Sequence, residues 1–144
     1  MPLNIEIATI PHTGTGFVQT LLKDIAPPTC HLTHDGIMES LRFKGTLIIP
    51  LRKPKHVAWT WIKRGTASEQ FHWDPMWLSL RNFDKAFFFF IEEDQKDIQL
   101  KELSEIVGYE LTTDWSAIDS QGEPGECEFD GGLAAQVYEN LRYK

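Results

Sequence analysis

Apolar segments of strand length alternate along this chain with segments in which apolar residues recur at helical spacing. The clearest strand segments are Asn4–Ile10, Gly45–Arg52 (GTLIIPLR) and Lys85–Glu93 (KAFFFFIEE), and a helical pattern follows each of them. Continuous apolar runs of this kind are typical of strands that are buried on both faces. The alternation therefore predicts an α/β fold with three layers, in which helices flank a central parallel sheet.

Local signals predict the remaining elements. The spacing predicts a short strand at Cys30–Thr33 and helices at Thr15–Ile25, Ile37–Phe43, Pro54–Lys63, Pro75–Asn82, Asp97–Gly108 and Gly132–Tyr143. We expect Pro54 in a first helical turn, Asp74 as an N-cap and Gly108 as a helix stop. Pro50 cannot donate a ladder hydrogen bond, so we expect it at the end of its strand. The 144 residues fit a single domain, residues 1–144.

Charge and composition limit the classes of ligand. The net charge of −7 argues against binding of a nucleic acid polymer. Five of the 14 Lys and Arg residues nevertheless fall within Leu51–Arg64, which suggests a small anionic ligand. Two distant cysteines, Cys30 and Cys127, lack metal-like spacing and are expected to be free thiols in a reducing compartment. With no signal peptide visible, and only six residues in the most apolar run, we expect a cytoplasmic protein without a membrane partner.

The segment Ile7–Leu22 (IATIPHTGTGFVQTLL) joins a strand to a helix through a loop rich in Gly and Thr. Such a turn presents backbone N–H groups and the positive end of the helix dipole to an anion. The nucleotide-binding pattern GxxxxGK[ST] is absent, so we do not expect ATP hydrolysis. Because ligands of parallel sheets lie beyond the carboxyl ends of strands, the loop Pro11–Gly16 and Arg52 are the candidate binding segments.

The loop PHTGTGF, residues 11–17, resembles the 5′-phosphosulfate loop of the sulfotransferases, Pro-Lys-Ser-Gly-Thr-Thr-Trp. The two align without gaps, and three positions are identical. Thr13 replaces serine, Phe17 replaces tryptophan, and His12 falls on the lysine. The identical positions are Pro11, Gly14 and Thr15, and Gly16 falls on the second threonine.

Two further segments are similar to the same family. Arg52 and Thr60 match the arginine and serine that bind the 3′-phosphate, in the pattern Arg-Asn-Pro-Arg-Asp-Val-Ala-x-Ser-Tyr. A guanidinium at a strand end and a hydroxyl on the following helix can converge on one phosphate. Residues 87–111 resemble the late strand, Glu-Asp turn and helix of the family. The three segments occur in the family's order and lie within residues 11–111, a span of roughly two thirds of the chain.

The resemblance implies a P-loop NTPase-like sulfotransferase fold and transfer of a sulfuryl group from 3′-phosphoadenosine 5′-phosphosulfate (PAPS), without a metal. The acceptor would be a small molecule or peptide that carries a hydroxyl or amine. The backbone N–H groups of Thr13–Phe17 would hold the 5′-phosphosulfate, and Arg52 and Thr60 the 3′-phosphate. His12 would replace the lysine at the leaving oxygen. Histidine is only partly charged at neutral pH, although a dianionic donor favours its protonated form.

The base that accepts the acceptor's proton is open among His31, His34, Asp35 and Glu39. We favour His34, assisted by Asp35, although a turn histidine beside a capping aspartate is an equal alternative. Trp59, Trp61, Trp73 and Trp77 could line an acceptor pocket, and core packing is expected for at least two of them.

The chain also departs from the family. It is short, and its late loop, residues 120–132, is acidic where relatives often supply basic residues. Another subunit of a homo-oligomer could supply the missing contacts. The alternative function is therefore a catalytically reduced module that binds a nucleotide or another anion.

Overall fold

The strands form one parallel sheet. The computed structural model describes residues 5–8, 13, 15–22, 29–31, 46–63, 73–83, 86–113, 115–116 and 133–142. Within these residues the strands are β1 (Ile5–Ala8), β2 (Thr29–His31), β3 (Thr46–Leu51) and β4 (Phe87–Phe90), in the spatial order β2-β1-β3-β4. All neighbouring pairs are parallel. The predicted α/β class with a parallel sheet is confirmed.

The order of the strands reverses between β1 and β3. From β1 the chain moves to β2 on one side and then returns to β3 on the other side. The register pairs Ile7 with Ile48, and on the far side of β3 it pairs Ile49 with Phe88. The chain leaves β1 and β3 in opposite directions, and parallel α/β sheets bind their ligands in a crevice beyond the carboxyl ends of the strands at such a point.

The described helices are α1 (Thr15–Leu22), α2 (Pro54–Lys63), α3 (Trp73–Ser79), α4 (Lys96–Val107) and α5 (Ala134–Arg142). A 3-10 turn, Leu80–Asn82, extends α3. Helix α2 begins at Pro54 and ends at Lys63, as predicted. Gly108 directly follows helix α4 and stops it, since its φ of 78° is the left-handed conformation that glycine adopts without strain. The predicted helix Ile37–Phe43 lies outside the described residues.

Several boundaries differ from the predictions. Helix α3 begins at Trp73, so Asp74 lies in its first turn and was wrongly predicted to precede it as a cap. Strand β4 ends at Phe90, because the chain then turns back and the Glu93 amide donates to the Phe90 carbonyl at 3.3 Å. Strand β2 begins one residue earlier than predicted. Pro50 is the penultimate residue of β3, close to the expected strand end.

One face of the sheet packs against α2, α3 and α5. Alternate residues of β3, Leu47, Ile49 and Leu51, point into this layer because successive strand side chains face opposite sides. Trp73 and Trp77 of α3 are fully buried in it, with ring centroids 5.6 Å apart. These two tryptophans are core residues, as expected for at least two of the four.

The other face packs against α1 and α4. Ile48 of β3 and Phe89 of β4 belong to the same buried cluster as Val18 of α1. Helix α4 contributes Leu103, and Trp115 closes the edge of this layer. Apolar layers on both sides explain why the strands read as continuous apolar runs, and they complete the predicted three-layer arrangement.

Candidate functional site

The loop after β1 and the segment after β3 leave the same edge of the sheet from neighbouring strands. Thr13 lies in the loop, and its side chain is fully buried. Helix α1 begins at Thr15 and includes Gly16, so the predicted strand, loop and helix order is present. Arg52 directly follows β3. The predicted site residues His12, Gly14, His34 and Asp35 lie outside the described residues, as does the side chain of Thr15.

Phe17, the last residue of the predicted phosphosulfate loop, packs its ring against the core layer that includes Trp115. The half-buried ring stacks on Trp115 with centroids 5.4 Å apart and an interplanar angle of 30°. Trp115 has a φ of 61°, which is unusual for a residue with a Cβ, and its indole Nε1 donates to Asp97 Oδ1 at 2.6 Å. The start of α1 is therefore held against the segment that follows α4.

Lys53 is the N-cap residue of α2. Its carbonyl accepts the first helical hydrogen bonds, from the amides of His56 at 2.9 Å and Val57 at 3.1 Å. Pro54 follows at the first helical position, where the missing N–H has no cost. Lysine has no side-chain oxygen to cap a helix, so the free amides at this end need an acceptor from elsewhere.

Glu92, in the turn after β4, supplies that acceptor. Its Oε1 accepts the backbone N–H of Lys53 at 2.7 Å, and its Oε2 lies 2.6 Å from Nδ1 of His56. An ionised carboxylate only accepts hydrogen bonds, so Nδ1 carries the proton. In a capping box the third helical residue reaches back to the N-cap amide. Here His56 occupies that position, and Glu92, from the turn after β4, makes the bond.

The same carboxylate also faces Arg52. Glu92 Oε2 lies 3.5 Å from Arg52 Nε, and both side chains are about nine-tenths buried. This distance exceeds that of a good hydrogen bond, so the contact is mainly electrostatic. The predicted anion-binding arginine is thus held in a buried ion pair at the edge of the sheet, and an anion beside it would share Arg52 with Glu92.

Thr60, the second predicted ligand of the 3′-phosphate, bonds within its own helix. Its Oγ1 donates to the His56 carbonyl one turn earlier, at 3.0 Å, and its side chain is half-buried. Such back-bonding is common for threonine inside helices. Contact with a phosphate requires the hydroxyl to rotate away from this carbonyl, so the phosphate role of Thr60 stays a prediction.

Glu93 has a separate set of partners on α5. Its Oε1 accepts from the Tyr138 hydroxyl at 2.7 Å, and its Oε2 accepts from Arg142 at 2.7 Å. Burial raises the pKa of Tyr138 strongly, and the hydrogen bond to Glu93 and the nearby carboxylates raise it further, against an opposing effect of Arg142. Two adjacent glutamates therefore tie the end of β4 to two helices, Glu92 to α2 and Glu93 to α5.

The remaining tryptophans differ in position. The fully buried Trp73 and Trp77 cannot line an open acceptor pocket. Trp59 is half-buried, and Lys63 Nζ lies 4.5 Å from its ring centroid. The Trp61 side chain is outside the described residues. In the part of the chain that the structure describes, no group of three His, Cys, Asp or Glu side chains could hold a metal ion, and no helix is long and apolar enough to cross a membrane.

Comparison of the chain with protein-family models, with curated proteins and with solved structures found no match. The site therefore has to be interpreted from its own residues. Sequence reasoning placed Glu92 within a segment similar to the sulfotransferases but gave it no role. The signal was present in the chain: Lys53 is a poor N-cap, and a histidine stands at the capping-box position.

Proposed function

We propose that this chain is a sulfotransferase that binds PAPS in the crevice between β1 and β3. The sulfuryl group would pass to a hydroxyl or amine acceptor. The fold would then be a short variant of the P-loop NTPase-like sulfotransferase fold, which has a parallel sheet of the kind described above.

The observation that carries the proposal is the adjacency of β1 and β3 at the point where the strand order reverses. This adjacency brings the Gly- and Thr-rich loop and Arg52 to one edge of the sheet. PAPS carries phosphate groups at two positions of its ribose, so it needs two anion sites at a fixed separation. A loop at a helix start and a guanidinium after the next strand supply two such groups.

Each predicted residue has a defined role in this proposal. The amides of residues 13–17 hold the 5′-phosphosulfate, and Arg52 with Thr60 holds the 3′-phosphate. The acceptor oxygen attacks sulfur, a new S–O bond forms, and the bond from sulfur to the bridging phosphate oxygen breaks. His34, assisted by Asp35, takes the acceptor's proton, while His12 donates to the leaving oxygen.

A second function, nucleotide binding without transfer, is favoured by the contact between Arg52 and Glu92. A carboxylate 3.5 Å from the guanidinium reduces the net positive charge offered to a phosphate. A histidine in place of the loop lysine further reduces charge at the leaving group. In this case the chain is a binding module that recognises the nucleotide and serves an interaction role.

Calorimetric titration tests nucleotide binding first. The non-reactive product 3′-phosphoadenosine 5′-phosphate (PAP) should bind the full chain, and ATP should bind much more weakly. The Arg52→Ala variant should bind PAP about 10- to 100-fold more weakly, the loss expected for charge-assisted hydrogen bonds. Arg81→Ala is the matched control, because Arg81 is an exposed arginine of the 3-10 turn. Equal affinity for ATP, or an unchanged Arg52→Ala variant, would contradict the proposal.

A transfer assay then separates the enzyme from the module. The chain is incubated with PAPS and a panel of phenols, alcohols, amines and peptides, and release of PAP is followed. Acceptor-dependent release that is lost in His12→Ala supports the sulfotransferase. PAP binding without release for any acceptor, in a chain that passes the titration test, favours the module.

A further inference from the structure

We propose that Glu92 is a positioning residue that orients Arg52, and that it thereby gives the site its preference for a ligand with a second phosphate. This inference rests on the proposed function, because it concerns the residue that would hold the 3′-phosphate. It assigns a role in ligand selection to a side chain outside both predicted binding segments.

A hydrogen bond links Glu92 to the backbone next to Arg52. The amide nitrogen of Lys53 is bonded to the carbonyl carbon of Arg52, so both belong to one rigid peptide plane. Glu92 Oε1 accepts from that nitrogen at 2.7 Å. The hydrogen bond therefore fixes the peptide plane next to the Arg52 Cα, and the Arg52 side chain, which ends in the guanidinium, is attached to that Cα.

Both carboxylate oxygens of Glu92 have partners on the segment that follows β3. Oε2 is held by His56 Nδ1 at 2.6 Å while Oε1 holds the Lys53 amide, so the plane of the carboxylate is fixed at both ends. Arg52 meets this fixed plane through Nε. A guanidinium is flat, and its N–H groups have a fixed fork geometry, so an electrostatic partner at Nε favours one orientation of its terminal nitrogens.

The turn that carries Glu92 is anchored to α5 through the adjacent residue, Glu93. The adjacent Glu93 is buried, and Tyr138 and Arg142 of α5 both donate to it at 2.7 Å. The Glu93 amide also closes the turn onto the Phe90 carbonyl. Glu92 therefore lies on a turn that is itself fixed to α5, as a group must be if it is to hold another residue in place.

A carboxylate beside an anion site can act in three ways, and each predicts a different result. If Glu92 only repels anions, its neutralisation strengthens the binding of every anionic nucleotide. If it only stabilises the fold, its loss weakens all nucleotides equally. If it positions Arg52, its loss selectively weakens ligands that bear the 3′-phosphate, because only those depend on the guanidinium orientation.

The decisive experiment compares PAP with adenosine 5′-phosphate (AMP), which lacks the 3′-phosphate, by calorimetry on the full chain. In Glu92→Gln we expect the ratio of PAP to AMP affinity to fall about tenfold, while the affinity for AMP changes less than about threefold. Glu92→Asp keeps the charge but is one methylene shorter, so it cannot span Lys53 and His56 in the same way. We expect it to lose selectivity as well, which a purely electrostatic role does not predict.

Glu105→Gln is the matched control, since it makes the same charge change at an exposed position of α4. We expect it to leave the affinity ratio unchanged. Thermal unfolding and hydrogen exchange of residues 53–57 are measured on every variant, and we expect faster exchange of the Lys53 amide in both Glu92 variants. If the affinities for PAP and AMP rise equally or fall equally in the Glu92 variants, the positioning role of Glu92 is overturned, while the proposed function stands. A wild-type chain that binds neither nucleotide overturns the proposed function and this inference with it.

Discussion

Glu92 Oε2 lies 2.6 Å from His56 Nδ1, and this contact joins the turn after β4 to the first turn of α2. The same glutamate accepts the N-cap amide of the helix, so α2 is capped by a side chain 39 positions away in sequence. A negative charge at this end also interacts favourably with the helix dipole. The contact therefore stabilises both the fold and the edge of the sheet where we place the ligand.

The His56 contact should contribute measurably to stability. We expect His56→Ala to lower the free energy of unfolding by about 1–3 kcal/mol, because a mostly buried carboxylate loses a hydrogen-bond partner. Lys55→Ala, at the neighbouring exposed position, should change it by less than about 0.5 kcal/mol. Urea unfolding at neutral pH gives both values. Equal effects of the two substitutions would contradict the capping role of the Glu92 and His56 pair.

Tyr138 should remain un-ionised in the folded protein at alkaline pH. Its pKa is raised by burial and by the hydrogen bond to Glu93, so above about pH 10 the folded chain keeps a proton that the unfolded chain releases. The stability that Tyr138 contributes is present below about pH 10 and is lost as the pH rises further.

Ultraviolet titration at 295 nm tests this prediction, because the chain has three tyrosines. We expect the absorbance change of one tyrosine to coincide with unfolding, as followed by circular dichroism, and to be missing in Tyr138→Phe. Ionisation of all three tyrosines before any loss of secondary structure would show that Tyr138 is not held as described.

The layer formed by α4 should depend on its buried face. Leu103 is fully buried between α4 and the sheet, whereas Ile106 on the same helix is 44% exposed. We expect Leu103→Ala to cost about 2–5 kcal/mol and Ile106→Ala less than about 1 kcal/mol. Chemical unfolding measures the difference, provided that the free energy of unfolding depends on denaturant concentration with the same slope in both variants. Comparable costs at the two positions would argue against the packing of α4 on the sheet.

His12 should make sulfuryl transfer sensitive to pH. If His12 donates to the leaving oxygen, activity should decline as the pH rises through the pKa of its imidazole, which is about 6.5 when unperturbed and higher beside a dianion. We expect His12→Lys to keep activity across this range, because lysine remains charged up to about pH 10. Rates of PAP release from pH 5.5 to 9 test the prediction, and identical pH profiles for the two proteins would contradict it.

The fold could largely be predicted from sequence because its signals are local. The runs at Gly45–Arg52 and Lys85–Glu93 had the length and composition of buried strands. Pro54 marked the start of a helix and Gly108 the end of another, because each of these residue types restricts or permits a particular backbone conformation by itself. The start of α3 was misjudged because Asp74 next to a proline looks like a cap, while burial of Trp73 extends the helix backwards. Tertiary packing decided that boundary.

The site was predictable only in part. Arg52 could be placed at the edge of the sheet because it directly follows a recognisable strand. Its partner Glu92 could not be assigned, since the pairing depends on β3 and β4 being neighbours and on the chain turning at Phe90. The internal bond of Thr60 was equally hidden, because a threonine hydroxyl has several partners within reach and sequence does not choose among them.

We propose that the loop after β1 and Arg52 after β3 bind the 5′-phosphate and the 3′-phosphate of one nucleotide. The most direct measurement is a crystal structure of the full chain with PAP. We predict the 5′-phosphate at the amides of residues 13–17 and a 3′-phosphate oxygen about 2.7–2.9 Å from the Arg52 guanidinium, the distance of a charge-assisted hydrogen bond. PAP bound elsewhere, or an Arg52 side chain on the opposite side of the sheet from the loop amides, would contradict the claim.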